Sequence, residues 1–490
     1  MNFAGGFGKA FKTYLLIGMR CPVERIVSNL SKEYDVTGDF MRKTDVLVVG
    51  GGPAGSLAAM TGKASYPDKE FVLVSDESQA MVPCGIPYIF GTLNGVEENM
   101  MPRDPLTKAG IDVIIGELVS IDREGKSCEL ADGTKVAFDR LVLALGSVPS
   151  VPKWLKGAAL DNVHVIKKAK EHLETLFKSL DDFKKIVVIG GGFIGVEISD
   201  ELNKMGKEVT IVEILPQILG MAFDEDLATE IEKIVAERGV KVRTGIGVKQ
   251  ILGSDKVEGV LLQNDERLDA DAVILTMGYR PNVGIAERSG LPLNEMGFIR
   301  VDEYLRTDDP NIFAVGDCAE KRDFSTRKVS GLMLASTAST EARIAGMNLY
   351  GLSVVKAFKG TIAIFSTAIG DSGFGSAGLT ESVALREGFE IVTGIFDGVD
   401  KHPNTLPEVH RQLIKLVVAR DSGAVLGGEV LSGPSTGELV NLIGFMIQNR
   451  MTVDMILSSQ IGTHPLLTAP PTAYPLIKAA ENAARKIRGA

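Results

Sequence analysis

The sequence predicts an α/β protein with a duplicated strand–helix–strand unit and a separate C-terminal α+β domain, and three observations carry that reading. Asp45–Ala59, DVLVVGGGPAGSLAA, is an apolar strand running into a glycine-rich turn and then a helix of small residues. Lys185–Ser199, KIVVIGGGFIGVEIS, is a near copy of it. Residues 361–490 contain no such stretch: His410–Ser432 reads as two alternating strands around an Asp-Ser-Gly turn, and Gly437–Ser459 as an amphipathic helix.

In chain order, Gly50, Gly52 and Gly55 form the first GxGxxG turn. The first glycine permits the tight turn, the second lets a pyrophosphate reach the backbone, and the third lets helix and strand pack closely. Pro53 and Ala54 open the helix, whose unpaired N–H groups face the phosphates. Phe71–Val74 (FVLV) is the next strand, so the pair belongs to a parallel sheet with a right-handed crossover. The strand ends VSDES. Asp76 is assigned as the carboxylate that holds a ribose, with Glu77 as an alternative and Ser75 in the other register. Leu141–Gly146 (LVLALG) closes this unit at Gly146.

Gly190, Gly192 and Gly195 repeat the turn, and Val209–Val212 repeats the second strand. Glu213 follows, 23 residues beyond Gly190. A carboxylate there accepts ribose hydroxyls and repels a 2′-phosphate, and Ile214 rather than arginine comes next. NADH is the expected ligand, with NADPH the weaker alternative. Ala272–Gly278 closes the second unit at Gly278. Two Rossmann-like dinucleotide-binding domains are therefore expected. Thr307–Asp317, TDDPNIFAVGD, ends in the pair Gly316–Asp317 and by itself is only a strand and a turn.

Composition removes several classes. A chain of 490 residues is too long for one core and suits roughly two to four domains. A net charge of −10 offers no basic footprint for nucleic acid, and no apolar run is long enough to span a membrane. The four cysteines, Cys21, Cys84, Cys128 and Cys318, are scattered, so neither a zinc site nor a disulfide framework is expected, and a reducing cytoplasm is the default compartment. Residues 1–40 read as an N-terminal extension. Met41 directly precedes RKTDVLVVGGG, which makes it a candidate natural start.

Together, the two glycine turns, LVLALGSVP, TMGYRPN and TDDPNIFAVGD resemble the pyridine nucleotide–disulfide oxidoreductase family in order and spacing over about residues 43–490. The resemblance implies FAD in the first site, NADH in the second, and a C-terminal dimerisation domain. It also implies boundaries: FAD-binding domain at 41–155 and 287–355, NAD-binding domain at 156–286, dimerisation domain at 356–490. By resemblance Asp317 binds the flavin's ribityl and phosphate portion. Leu334, Ala335 and Ser336 start a helix whose positive end faces the flavin ring, and Glu197 lies close to the nicotinamide. Leu145 replaces the family's usual threonine before Gly146.

Met81–Tyr88, MVPCGIPY, places the branch. Disulfide-bearing relatives carry CxxxxC, which needs cysteine at position 89, and this chain has Ile89. The stretch resembles the single-cysteine branch: CoA-disulfide reductases, NADH-dependent sulfur or polysulfide reductases, NADH oxidases and NADH peroxidases. The Ser-Phe pair usual before the cysteine is replaced by AMVP. Oxidase and peroxidase members place a histidine just after the first glycine turn, where this chain reads GGGPAGSLAAM. The expected activity is therefore NADH oxidation with reduction of a disulfide, CoA-disulfide, polysulfide or related sulfur acceptor through Cys84, with CoA a candidate ligand. A helix N-terminus entered through GIPYIFG is expected to lower the Cys84 thiol pKa, because thiolate is the attacking form. The other three cysteines read as inert. His464, before Pro465, and Tyr474, after Ala469-Pro470-Pro471, are the candidate acid–base residues and would act across a homodimer, with interface packing the alternative for Tyr474. His164, His172, His402 and His410 sit in polar stretches expected to be exposed and receive no role. Arg103 and Lys108 could meet CoA phosphates or form a solvated face. Two rival readings remain: an NADH oxidase or peroxidase, and a flavin electron-transfer subunit of a larger redox complex.

Overall fold

In the computed structural model, residues 33–34 and 40–489 are described, so Cys21 and most of the 1–40 extension lie outside the described residues. The first sheet is built from the runs the sequence marks. Its parallel part is ordered 111–115, 71–75, 40–49, 135–143, with 312–314 beside the end of the last. Val46, Leu47 and Val48 are fully buried, as a strand covered on both faces requires. The helix Pro53–Ser65 covers one face. It must be made of small residues, because a Cβ on Gly62 would lie 2.6 Å from the Phe71 ring. A second helix, Ala335–Asn348, crosses it so closely that a Cβ on Gly346 would meet Ala58 O and Gly62 N at 2.9 Å. Residues 312–348 thus return to the first unit after the whole second unit has been made.

The second sheet repeats the first: 241–243, 208–212, 185–189, 272–275, 163–165, all parallel. The strand endings at Gly146 and Gly278 feed two short antiparallel segments, Ser147–Pro149 and Tyr279–Pro281, which pair with each other where the chain passes between units.

The third domain is an antiparallel sheet of order 364–369, 372–378, 425–432, 411–419, 391–399. Helices Thr436–Gln448 and Pro475–Ile487 share one apolar core with it. The amphipathic helical stretch over 437–459 comprises two helices, Thr436–Gln448 and Val453–Leu457. The histidines differ from expectation: none of His164, His172, His402 and His410 is exposed. His410 Nδ1 lies 2.9 Å from Asp400 Oδ2, and burial lowers the basicity of His164.

A charged cluster joins the second unit to the third domain. Lys415 is buried, with Nζ 3.0 Å from Asp224, 3.1 Å from Glu381, 3.3 Å from Asp226 and 3.5 Å from Glu429. Asp224 opens the helix Glu225–Glu237 and also accepts from the Glu381 and Ser382 N–H groups. Burial and the neighbouring Asp224 push Glu429 up to about 8, against the attraction of Lys415. Removing one partner of such a cluster strands the others in a poor dielectric. Lys415→Met is expected to cost about 3–5 kcal/mol in urea denaturation, while Glu429→Gln, which keeps an oxygen to accept from Asp224 N, costs less.

Candidate functional site

The two glycine turns are superposable in detail. Gly50 and Gly190 have φ of +112° and +113°. A Cβ at Gly50 would lie 2.1 Å from Ala144 O, and one at Gly190 2.6 Å from Thr276 O. At Gly55 and Gly195 a Cβ would come within 1.9 and 2.0 Å of Gly50 O and Gly190 O. Gly52 and Gly192, by contrast, have nothing within 4 Å of the added atom. Close packing at the outer glycines and open space at the middle one is the shape a pyrophosphate needs. Pro53 and Ala54 occupy the first turn of the helix behind Gly52. These residues fit two dinucleotides.

Glu213 faces the second turn: Oε2 accepts from Gly191 N at 2.6 Å and Oε1 from Leu215 N at 2.8 Å. The equivalent position in the first unit is Ser75, one residue before Asp76. Gly50 N donates to Val74 O just as Gly190 N donates to Val212 O, so Ser75 matches Glu213. Asp76 is exposed one residue further on. Arg103, one of the two basic residues considered for a solvated face, donates from Nη2 to Ser75 Oγ at 3.1 Å and to Glu77 O. Lys108 is exposed and pairs with Asp104.

Gly316–Asp317 stands at the mouth of the first sheet, beside the start of the helix capped by Leu334, with Ala335 and Ser336 in its first turn. Asp317 Oδ2 accepts from Ser147 Oγ at 2.7 Å and Lys168 Nζ at 2.9 Å. Burial alone would raise Asp317, but Lys168 holds it below the ordinary carboxylate value. Lys168 also lies 5.0 Å from the centre of the Tyr279 ring. Behind the turn, the fully buried Glu341 accepts from Gly316 N at 2.7 Å, and Lys321 Nζ donates to Gly316 O and Ala319 O. Neither Lys168 nor Glu341 carries a local sequence signal; both are recruited by long-range packing.

Cys84 lies in a short helical turn, Pro83–Gly85, followed by a second, Pro87–Phe90. Neither is a long helix aimed at the sulfur, and the expected lowering of the thiol pKa is corrected. Cys84 is exposed, yet the protein around its sulfur and then the Glu197 carboxylate push the thiol above its ordinary value; Lys168 opposes this and Asp317 adds to it. Ile89 is fully buried in the core, and Cys128 and Cys318 are buried with raised thiols. Glu197, two residues after Gly195, accepts from Thr367 Oγ1 at 2.8 Å. Burial pushes it up to about 7, against the Thr367 hydrogen bond and with help from Glu201. Tyr88, raised to about 12, shares a cleft of about 450 Å³ with Thr367 and His410. Among the described residues no hydrogen bond ties His464 or Tyr474 to Cys84. His464 is exposed, with Nδ1 accepting from Leu466 N, and Tyr474 packs half-buried against the third domain's core.

Comparison with known proteins decides the family. The description "Pyridine nucleotide-disulphide oxidoreductase" matches residues 44–342, and that family's dimerisation domain matches 364–474. The chain belongs to the pyridine nucleotide–disulphide oxidoreductase family. Its fold is that family's, and FAD and NAD(P)H are the family's cofactors. The chain is 29% identical to an NADH oxidase of Methanocaldococcus jannaschii over 90% of its own length and 99% of the relative's. It is 29% identical to an NAD(P)H coenzyme A polysulfide/persulfide reductase of Pyrococcus horikoshii, over 85% and 95%. A solved NAD-dependent persulfide reductase from A. fulgidus superposes with a TM-score of 0.84 at 28% identity, covering 91% of this chain and 84% of that one. Among the described residues no helix is long and apolar enough to cross a membrane, and no acidic, histidine or cysteine group is placed to hold a metal.

Two outcomes follow. Glu213→Ala is expected to lower the preference for NADH over NADPH by about tenfold in kcat/KM, as loss of a carboxylate's ribose hydrogen bonds implies. In flavin-free protein, Cys84 alkylation is expected to rise with pH around a midpoint above that of a free thiol. Lys168→Met shifts that midpoint further up, because it deletes the one cation favouring the thiolate.

Proposed function

We propose that the protein oxidises NADH and reduces a disulfide, CoA-disulfide, polysulfide or related sulfur acceptor through Cys84, as a homodimer. The observation that carries this is one thiol, the exposed one among the described cysteines, under the charges of both candidate nucleotide units: Glu197 and Lys168 from the second and Asp317 from the first act on it. FAD, when bound, would take a hydride from NADH and pass an electron pair onward. The chain's own residues do the rest. Gly50 and Gly52 with the helix behind them would hold the flavin's pyrophosphate, and Glu213 would select the NADH ribose. The Cys84 thiolate would attack one sulfur of the acceptor, breaking the acceptor's S–S bond, forming a mixed disulfide and expelling the other half as a thiolate or sulfide; the electron pair passed onward, with one proton, would then break the mixed disulfide, leaving a thiolate on Cys84 and releasing the second half as a thiol. The buried Ile89 supports a substrate sulfur, rather than a second protein sulfur, as the partner.

His464 and Tyr474 would act from the other subunit of the dimer, since within one chain His464 turns to Leu466 N and Tyr474 to the third domain's core. The relatives named as oxidases make oxygen the rival acceptor, and the same experiment separates the two. In anaerobic stopped-flow, Cys84→Ser is expected to keep NADH-dependent flavin bleaching and to lose reoxidation by sulfur acceptors on the order of a hundredfold or more. Unchanged sulfur turnover in that variant, or fast aerobic NADH consumption indifferent to sulfur compounds, would overturn the reading.

A further inference from the structure

The helix Phe193–Lys204 and the strand Ile364–Ile369 come from different domains and meet at two points. The Phe193 and Phe365 rings stack, with centres 5.0 Å apart and planes 14° from parallel. Glu197 and Thr367 are joined by the 2.8 Å hydrogen bond. Phe193 and Glu197 are four apart on a helix and so share one face; Phe365 and Thr367 are two apart on a strand and share one side. The aromatic pair therefore fixes the register in which the hydroxyl reaches the carboxylate. Thr367 is buried, while Glu197 is only partly buried.

We propose that Thr367 is a positioning residue for NADH oxidation: through Glu197, the C-terminal domain sets the orientation and proton affinity of the nicotinamide-side carboxylate within the same chain. The proposal rests on the reading of the second unit as the NADH site. Donation of hydride leaves positive charge on the nicotinamide, and an ionised carboxylate beside it favours that charge. A hydroxyl donating to Glu197 favours the ionised form. The charged and titratable groups facing this carboxylate are Glu201 on its own helix and Cys84 and Tyr88 on the cysteine loop; His410 lines the cleft that Thr367 shares with Tyr88. Glu201 and a Cys84 thiolate both oppose ionisation, which leaves Thr367 as the group that promotes it.

The test is the pH profile of flavin reduction by NADH in anaerobic holoenzyme, read beside an infrared titration of the protonated carboxyl stretch, which needs no turnover. Wild type is expected to show a rate rising through an apparent pKa near Glu197's value of about 7. Thr367→Val should move both the kinetic limb and the infrared midpoint upward by about one pH unit, a tenfold change in proton affinity. Thr367→Ser, which keeps the hydroxyl, should restore both, and Glu197→Gln should abolish both. If Glu197→Gln abolishes the limb but Thr367→Val leaves it in place, this inference is wrong and the nucleotide assignment survives. If Glu197→Gln leaves the limb unchanged, the nicotinamide-site reading itself fails.

Discussion

Two backbone oxygens, Ala144 O and Thr276 O, impose the constraint on which the site depends. Each stands where a side chain would begin, so each glycine turn can close only without a Cβ. The turn then throws its helix onto the sheet at one angle and leaves the middle glycine facing open space. Because the same geometry is made twice in one chain, two dinucleotide sites come with it. The paired segments after Gly146 and Gly278 join the two units where their strands end. Ligands of open α/β sheets bind outside those strand ends. The cysteine loop, Asp317 and Glu197 are electrostatically coupled in that region.

The electrostatics around Cys84 then acquire a direction. The chain by itself holds the thiol protonated, with one lysine working for the thiolate and two carboxylates against it. The short turns around Pro83 and Pro87 supply too little aligned dipole to reverse this. A thiol of this kind is not a general scavenger of oxidants. Glu197, pushed up to about 7 and hydrogen-bonded by Thr367, belongs to the second unit and acts on the Cys84 charge.

Much of this was legible in the sequence because it is local. Strand, turn and helix follow one another within fifteen residues, so both glycine turns, the Gly316–Asp317 turn and the absence of a second cysteine at Ile89 could be read directly. The Ser75 position was not, because VSDES offers several registers and only strand pairing selects one. Lys168, Thr367, Glu341 and the Lys415 cluster were invisible for a related reason. Each is an ordinary polar residue in its own segment and gains meaning only from a partner more than twenty residues away. The Cys84 thiol departs from expectation because GIPYIFG, with one proline between two glycines, yields only short turns, while burial and the sequence-remote Glu197 raise it.

The central claim is that electrons taken from NADH reach sulfur bound at Cys84. The most direct measurement is the mass of the Cys84 peptide from protein incubated with a disulfide or polysulfide, before and after anaerobic NADH. The account predicts an adduct on Cys84 that disappears with NADH while the matching thiol or sulfide is released. A Cys84 that stays unmodified while NADH continues to reduce the same acceptor would contradict it.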